Sequence, residues 1–557
     1  MLHAVQLTAP ARQGIVNRGY VGMGLVEHSS YVVEILARRS DSVSLTVGFI
    51  MRQENTDDIS GRGGRWRSRS EDIAMSSFCK AVPLERSTLM VEEWVWLGCN
   101  ITASQTGAAE LAVTLDSAGT IVLDYVSVMP AKNVDAGHPF RFDMLQLLAD
   151  LKPGVLRYPG GCFIEGLSLA EGPYIWKETI GHLAERPGHM DWMWGYWSTD
   201  GLGFYEWLQL AELLQTESVW VVNAGLSLVD EAPDVGQFEL WILEALDSIE
   251  FAIGAADSTQ WGRVRAELGH PAPFDGLRNV AIGNENCGAK SYAAVWEAFA
   301  ASIRSRWGSR VQLVANCAGT SSLPSATALA FEPHPDLMDY HDYSSFDDYT
   351  TGGQSSAFDL LDRRLLAAFG RVFVSEYSVQ VDAGHGNLRA AIGEAAYLVQ
   401  MEANGDAVVM ASYAPLFAHV EDAWGMPGLI THDCQTAFGT PSYHAQALLA
   451  NTRVDETLAF GVSGNSSLRV SVGRSAGALV LKAVNFGLVD TSLQLSLANE
   501  TLQLEGSVLT SASPEDENWF DVPKNVSIST FEPVAVREGR GRVTLPALSV
   551  VVLKQAG

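Results

Sequence analysis

Between residues 155 and 413 the chain repeats one pattern: a short apolar run, a polar residue or a turn, then a stretch with helical spacing. The apolar runs are 155–158, 218–223, 279–283, 311–316, 338–343, 371–375 and 407–413. Helical spacing fills 204–215, 237–253, 291–307, 357–369 and 387–404. In the first of these, Phe204, Trp207, Leu208, Ala211 and Leu214 form one stripe. Strands that are apolar throughout are buried on both faces, which is the condition of a parallel sheet covered by helices. This many βα units without a Gly-rich phosphate loop predict an α/β fold, a (β/α)8 TIM-type barrel. Seven of its strands are countable. Nothing in 1–150 reads as the one that would precede residue 155, so the first strand is expected upstream of this chain.

The flanks obey a different period. Residues 1–130 hold short alternating strands at 31–36, 42–47, 111–115 and 120–128. Residues 451–557 hold others at 468–472, 479–484 and 549–553. Period two with turn residues between predicts antiparallel sandwiches. The expected domains are therefore two all-β sandwich domains, 1–130 and 451–557, around a catalytic barrel at 131–450. A chain of 557 residues, 47% of them hydrophobic, is long enough for two to four such cores.

Charge and cysteine usage remove several function classes. A net charge of −28 opposes binding to nucleic acid or an anionic membrane. No stretch approaches the roughly 20 apolar residues of a membrane span. The basic run Arg62, Arg65, Arg67 and Arg69 around Trp66 reads as a solvated loop. The six cysteines show no CxxC spacing, so a zinc site is not expected. Cys79 and Cys99 are a candidate bridge, whereas Cys162, Cys287 and Cys317 stand beside strand ends and read as thiols. Sequons begin at Asn100, Asn465, Asn499 and Asn525, all in the sandwich segments. They favour an extracellular protein, although no signal peptide is visible at the start.

A parallel barrel carries its chemistry where its strands end. The polar residues there are Arg157, Asn223, Asn284, Glu285, Asn316, His341, Tyr343, Glu376 and Tyr413. Two of them are carboxylates on strands separated by two others, Glu285 and Glu376. Glycosidic bond cleavage needs such a pair, one group to protonate the leaving oxygen and one to stay ionised. A separation of about 5 Å implies retention, and about 6.5–9.5 Å implies inversion. Plainer readings stand beside this one. Glu285 could cap the next helix, Glu376 could form a rim ion pair, and Arg157 could pair a core carboxylate. Cys162 could be a packed thiol, and His341 a hydrogen-bonded rim histidine.

Several strings in order resemble glycoside hydrolase family 51, in particular the plant-type α-L-arabinofuranosidases. They are Leu156-Arg157-Tyr158-Pro159-Gly160-Gly161-Cys162-Phe163, Trp176-Lys177-Glu178-Thr179-Ile180-Gly181, Glu185-Arg186-Pro187-Gly188-His189, Gly283-Asn284-Glu285-Asn286-Cys287-Gly288 and Val374-Ser375-Glu376-Tyr377. Ala411–Phe417, Gly439–Tyr443 and Lys482–Gly487 extend the likeness, which runs from about 120 to 490. The resemblance implies a retaining hydrolase that removes terminal arabinofuranosyl groups from arabinan or arabinoxylan and needs no cofactor. It implies Glu285 as acid/base, Glu376 as nucleophile and Asn284 as partner of the sugar 2-hydroxyl. Arg157, Cys162 and Tyr343 would line the sugar subsite, with His341 near, and Asn223 is expected among these substrate-binding residues. On the chemistry of the residues alone, Arg157 and Tyr377 are expected near Glu376. The N-terminal sandwich would resemble a carbohydrate-binding module inserted after the first barrel strand. One family feature, a Phe-Glu-Glu-type strand whose glutamate holds arabinose, has no counterpart here.

Overall fold

The computed structural model describes residues 4–19, 22–39, 44–52, 67–69, 73–84, 94–227, 238–286, 289, 291–316, 331–352, 370–421, 425–464, 467–498 and 500–556. Cys287, Cys317, Arg62, Arg65, Trp66, the helix expected at 357–369 and the sequons at Asn465 and Asn499 lie outside the described residues. The chain divides into two compact units. One comprises Met1–Phe142, Ile175–Glu206 and His432–Thr436. The other comprises Asp143–Tyr174, Trp207–Thr431 and Ala437–Gly557. The boundaries expected at 130 and 450 are not the seams of this division.

The first unit is built on ten antiparallel strands between Val5–Ala9 and Gly119–Pro130. Alternate residues of Ser30–Arg39 and Leu45–Met51 point inward, so Val33, Ile35, Val47 and Phe49 meet Leu97 and Val113 in one core without solvent exposure. Strand Ser77–Pro83 pairs with both Leu45–Met51 and Trp94–Thr102. That adjacency brings Cys79 and Cys99 into a disulfide, which sequence spacing left open.

The second unit holds seven parallel strands: β1 (Val155–Tyr158), β2 (Glu217–Val222), β3 (Leu277–Ile282), β4 (Gln312–Asn316), β5 (Leu337–Ser345), β6 (Val372–Val381) and β7 (Val408–Tyr413). They pair in chain order. Residues of β1 and β7 come within 8 Å of one another, so the sheet curls into a nearly closed barrel. Val219, Val221, Ala281, Val314 and Phe373 fill its interior with Ile164. Helices α1 (Phe238–Ile253), α2 (Tyr292–Trp307), α3 (Leu388–Ala403) and α4 (Pro441–Ala450) follow strands in turn. Strands from Leu468–Ser475 to Ser549–Gln555 form the C-terminal β-domain. Its apolar face packs on α3 and α4 through Ile392, Val399, Leu448, Val484 and Val550.

β6 is longer than the sequence pattern indicates. It runs six residues past the expected end at Ser375, and Glu376 lies inside it. In its ladder with β5, Tyr340 pairs with Val374 and His341 with Glu376, leaving Ser375 as an extra residue. This β-bulge breaks the two-residue alternation and re-aims the side chains that follow it.

Arg265 shows how the barrel's outer layer is fastened. Its side chain is fully buried, and it donates to five carbonyls. Three of these, on Phe251, Ala252 and Gly254, are the orphan acceptors at the C-terminal end of α1, which favours a cation. Arg265→Met should strip the Phe251 and Gly254 carbonyls of this donor in a dry place, while Ala252 keeps its bond from Phe274 N–H. We expect a loss of about 3 kcal/mol in unfolding free energy, read from urea denaturation. A loss below about 1 kcal/mol would assign the guanidinium no capping role.

Candidate active site

Five strand ends and the loop after β1 deliver one polar cluster. Arg157 ends β1 as its last interior residue. Its Nη1 donates to Glu376 Oε1 at 2.8 Å, and its Nη2 donates to Asn284 Oδ1 at 2.8 Å. Gly160 follows with φ +71°, and a Cβ there would lie 2.5 Å from Arg157 Nη1. The guanidinium lies against that bare backbone, so glycine is required by both space and dihedral. Asn284 Nδ2 in turn faces Cys162 Sγ at 3.8 Å.

β5 contributes Asp339, His341 and Tyr343, every second residue on its inner face. Tyr343 donates its hydroxyl to Glu376 Oε2 at 2.6 Å. His341 has no solvent exposure and is enclosed by acceptors. Its Nδ1 donates to Glu285 Oε1 at 2.8 Å and lies 3.4 Å from Glu376 Oε2. Its Nε2 lies 2.9 Å from Ser375 Oγ and 3.5 Å from Asp339 Oδ2. The bulge in β6 is what points both Ser375 and Glu376 toward this ring.

The charges settle accordingly. Burial alone would strip the proton from His341, but the charges of Glu376 and Asp339 outweigh it and raise its pKa to about 10. The residue is therefore an imidazolium at neutral pH, with both ring N–H groups donating. Burial alone would protonate Glu376. The His341 and Arg157 charges and the Tyr343 hydroxyl outweigh that and hold its carboxyl below the usual range. Asp339 is held low against its burial by His341 first.

Glu285 reaches the cluster by a different route. It follows Gly283-Asn284 at the end of β3 and adopts φ +53°, a left-handed conformation uncommon outside glycine. Such a backbone costs on the order of 1–3 kcal/mol and persists where its surroundings hold it. Here Glu285 N–H donates to Asn316 Oδ1, Asn316 Nδ2 donates to Asp339, and Asn286 Oδ1 accepts from Asn284 N–H at 2.8 Å. The Glu285 side chain is 37% exposed, against 12% for that of Glu376, so the cluster opens to solvent at Glu285. Carboxylate oxygens of Glu285 and Glu376 lie within 4.8 Å of one another. α2 starts at Tyr292 with Ser291 at its cap position, so Glu285 does not cap it.

Not every rim residue joins this group. Asn223 was expected in the sugar subsite. Its Nδ2 donates to the Ile164 carbonyl at 2.7 Å, and its Oδ1 accepts from Gly225 and Leu226 N–H. It ties the β2 loop to the turn after β1 and is not brought into the charged cluster. Tyr377 was expected beside the nucleophile. Being next in sequence to Glu376, it faces the other side of the sheet, where its hydroxyl accepts from Gln446 on α4 at 2.6 Å. Tyr413 packs against Tyr377 on that same side. Sequence reading missed Asp339, Ser375, Glu165 and Asn286. The even spacing Asp339-His341-Tyr343 was the available signal for the first.

Glu285, His341 and Glu376 also satisfy the spacing of a three-ligand metal set. The donor chemistry argues otherwise. The His341 atom facing both carboxylates is the protonated Nδ1, and Arg157 already neutralises Glu376, so a cation would have to displace a proton and approach a guanidinium.

The sign of pH linkage follows from these directions. His341, raised from 6.5 to about 10, contributes stability that is complete below pH 6.5 and is lost as pH rises through about 10. Glu376, held low, contributes stability present above its ordinary 4.5 and lost as pH falls. Asp339→Asn removes one of the two charges holding the imidazolium. It should bring the proton-loss midpoint of His341, followed by nitrogen NMR of the ring, down from about 10. An unmoved midpoint would remove Asp339 from this role.

Comparison with known proteins places this cluster in a family. Residues 147–362 match the α-L-arabinofuranosidase 1 domain and residues 375–549 match the α-L-arabinofuranosidase C-terminal domain. "Alpha-L-arabinofuranosidase 1" of Arabidopsis thaliana is 36% identical over 527 residues, covering 92% of this chain and 72% of the relative. "Probable alpha-L-arabinofuranosidase A" of Aspergillus flavus is 31% identical over 561 residues, covering 99% of this chain and 83% of that protein. Among solved structures, an arabinose-bound family 51 α-L-arabinofuranosidase superposes with a TM-score of 0.81 at 26% identity, covering 99% of this chain and 87% of that one. The chain belongs to the plant-type α-L-arabinofuranosidases of glycoside hydrolase family 51, and it is a glycosidase.

Proposed function

We propose that this protein releases non-reducing terminal α-L-arabinofuranosyl residues from arabinan- or arabinoxylan-type polysaccharides by double displacement. The observation that carries the reading is the pair of carboxylates within 4.8 Å of one another, both facing Nδ1 of one imidazolium. That gap belongs to retaining enzymes, since an inverting site needs about 6.5–9.5 Å to seat a water between its carboxyls. The family of the relatives supports the sugar.

Glu376 is the nucleophile. Two cations keep it ionised, and one of its oxygens attacks the anomeric carbon as the glycosidic bond breaks. Glu285, the carboxyl open to solvent, gives its proton to the departing oxygen. Water then enters, Glu285 takes a proton from it, and the resulting hydroxide displaces Glu376 from the anomeric carbon. Configuration is inverted twice and so retained. Asn284 keeps an amide N–H for the 2-hydroxyl while Arg157 holds its oxygen. Cys162 lies beside it at the sugar's edge, and His341 and Tyr343 fix the nucleophile.

The protein acts outside the cell in this reading. Cys79–Cys99 fits an oxidising compartment. The sequon residues Asn100 and Asn525 are both exposed. Loss of mass on treatment with an N-glycosidase, for material from the native source, is the expected outcome.

Glu376→Ala should abolish turnover. Glu285→Ala should lower kcat/KM on arabinan oligosaccharides by about 10²–10⁴-fold, the usual worth of general acid–base catalysis. Proton NMR of the first product should show the α anomer, and β-arabinose as the first product would overturn double displacement. Aryl xyloside or glucoside turnover exceeding that of the arabinofuranoside would transfer the mechanism to another sugar.

A further inference from the structure

Glu165 is buried, ionisable and unused by the chemistry above. It sits just past the short helical turn Gly161–Ile164 that follows β1, and the residue is 4% exposed. Its Oε1 accepts from Asn286 Nδ2 at 2.5 Å. The other end of that amide, Asn286 Oδ1, accepts from Asn284 N–H at 2.8 Å. The turn from Gly283 to Asn286 folds around this amide so closely that a Cβ on Gly283 would lie 2.0 Å from Asn286 Oδ1. Glu285, with its left-handed backbone, lies between the two residues that the amide ties together.

We propose that Glu165 is a positioning residue for Glu285, acting through the side chain of Asn286; the proposal rests on Glu285 being the acid/base. The chemical logic is one of matched polarity. The Glu165 Oε1 that meets the amide accepts, and a backbone N–H only donates. An amide placed between them has one orientation that satisfies both, so Asn286 is locked and cannot flip. The locked amide holds the Asn284 N–H from one side. Asn316 holds the Glu285 N–H from the other and is itself anchored on Asp339 and on the Tyr292 hydroxyl. Glu285 is thereby gripped on both flanks by its backbone, and only its carboxyl remains in the open part of the cluster. Asn223 braces the base of the same arrangement, since its Nδ2 holds the Ile164 carbonyl directly before Glu165. Burial first, and the nearby charge of Glu285 after it, raise the Glu165 carboxyl to about 7 against the pull of the Asn286 bond. The two carboxyls are thus close enough to feel one another, although no hydrogen bond joins them directly.

A residue that aligns the acid leaves a signature that a merely structural one does not. Departure of a poor leaving group needs proton donation, whereas a nitrophenolate departs without it. The test compares kcat/KM on a methyl arabinofuranoside and on a 4-nitrophenyl arabinofuranoside for wild type, Glu165→Ala, Glu165→Gln, Asn286→Ala and Glu285→Ala. Glu165→Ala and Asn286→Ala should each lose about tenfold more on the methyl than on the nitrophenyl substrate, a fraction of the full acid–base contribution. Glu165→Gln keeps an acceptor oxygen for Asn286 and should restore most of that difference. Equal losses on both substrates, or an undiminished Asn286→Ala, would overturn the proposal. Asn286 is only partly buried, so its variant decides the matter if Glu165→Ala does not fold. Glu285→Ala separates the two levels: without leaving-group selectivity in that variant, the acid/base reading itself fails.

Discussion

The site depends on one protonated histidine. His341 has no solvent contact, and an isolated buried charge of that kind would not persist. It persists because Asp339 stands behind it and two glutamates in front. Arg157 supplies the second cation. Inside the barrel mouth, Arg157 and His341 balance Asp339 and Glu376, so the buried part of the cluster sums to neutrality within a chain that carries −28 overall. Breaking any one of these pairs would strand a charge in a low-dielectric place, which costs far more than the pair itself contributes. The tightness of the geometry follows from that asymmetry.

Two local departures from regular structure make the balance reachable. A regular β6 would alternate, and Ser375 and Glu376 would lie on opposite faces. The extra residue in its ladder lets both address the His341 ring. A regular exit from β3 would carry Glu285 away in an extended or right-handed path. The left-handed residue turns it back toward β5, and amide bonds to Asn286 and Asn316 hold the turn. Strain of this kind survives where neighbours over-determine it. Here the neighbours are the same polar side chains that set the charges, so geometry and electrostatics are one network.

These departures also mark where reading the sequence reached its limit. The seven parallel strands were legible because strands buried on both faces leave unbroken apolar runs, and their ends pointed to Arg157, Asn284, Glu285, His341, Tyr343 and Glu376. A bulge leaves no periodic mark, so β6 was read as stopping at Ser375. Tyr377 was expected near Glu376 because it is next in sequence, but strand alternation turns it to the other face, and Tyr343 reaches the carboxylate from the neighbouring strand. Asp339 was hidden because an acid inside a strand core reads as an interruption. Its partner, a histidine two residues on, became interpretable as a cation only once both were seen to face inward. Glu165 follows the Pro159-Gly160-Gly161 turn, and a polar residue after such a turn carries no signal of burial. Asn223 shows the converse. It ends an apolar run as Asn284 does, yet its amide is spent on loop backbone.

The roles proposed for the two glutamates draw their support from what surrounds each one. Both carboxyls touch the same imidazolium, so His341 by itself does not distinguish them. The distinction comes from what else each one meets. Glu376 has in addition a guanidinium on one oxygen and a phenol on the other, three donors that all favour the charged form. An anion so fixed is ready to attack but poor at holding a proton. Among the described residues the Glu285 carboxyl receives the one histidine bond, and its side chain is partly exposed, the side from which a leaving group would depart and a water arrive in the proposed mechanism. A carboxyl that must give a proton in one step and take one in the next needs that access. In the proposed mechanism it is environment, acting on two chemically identical side chains, that divides nucleophile from acid/base.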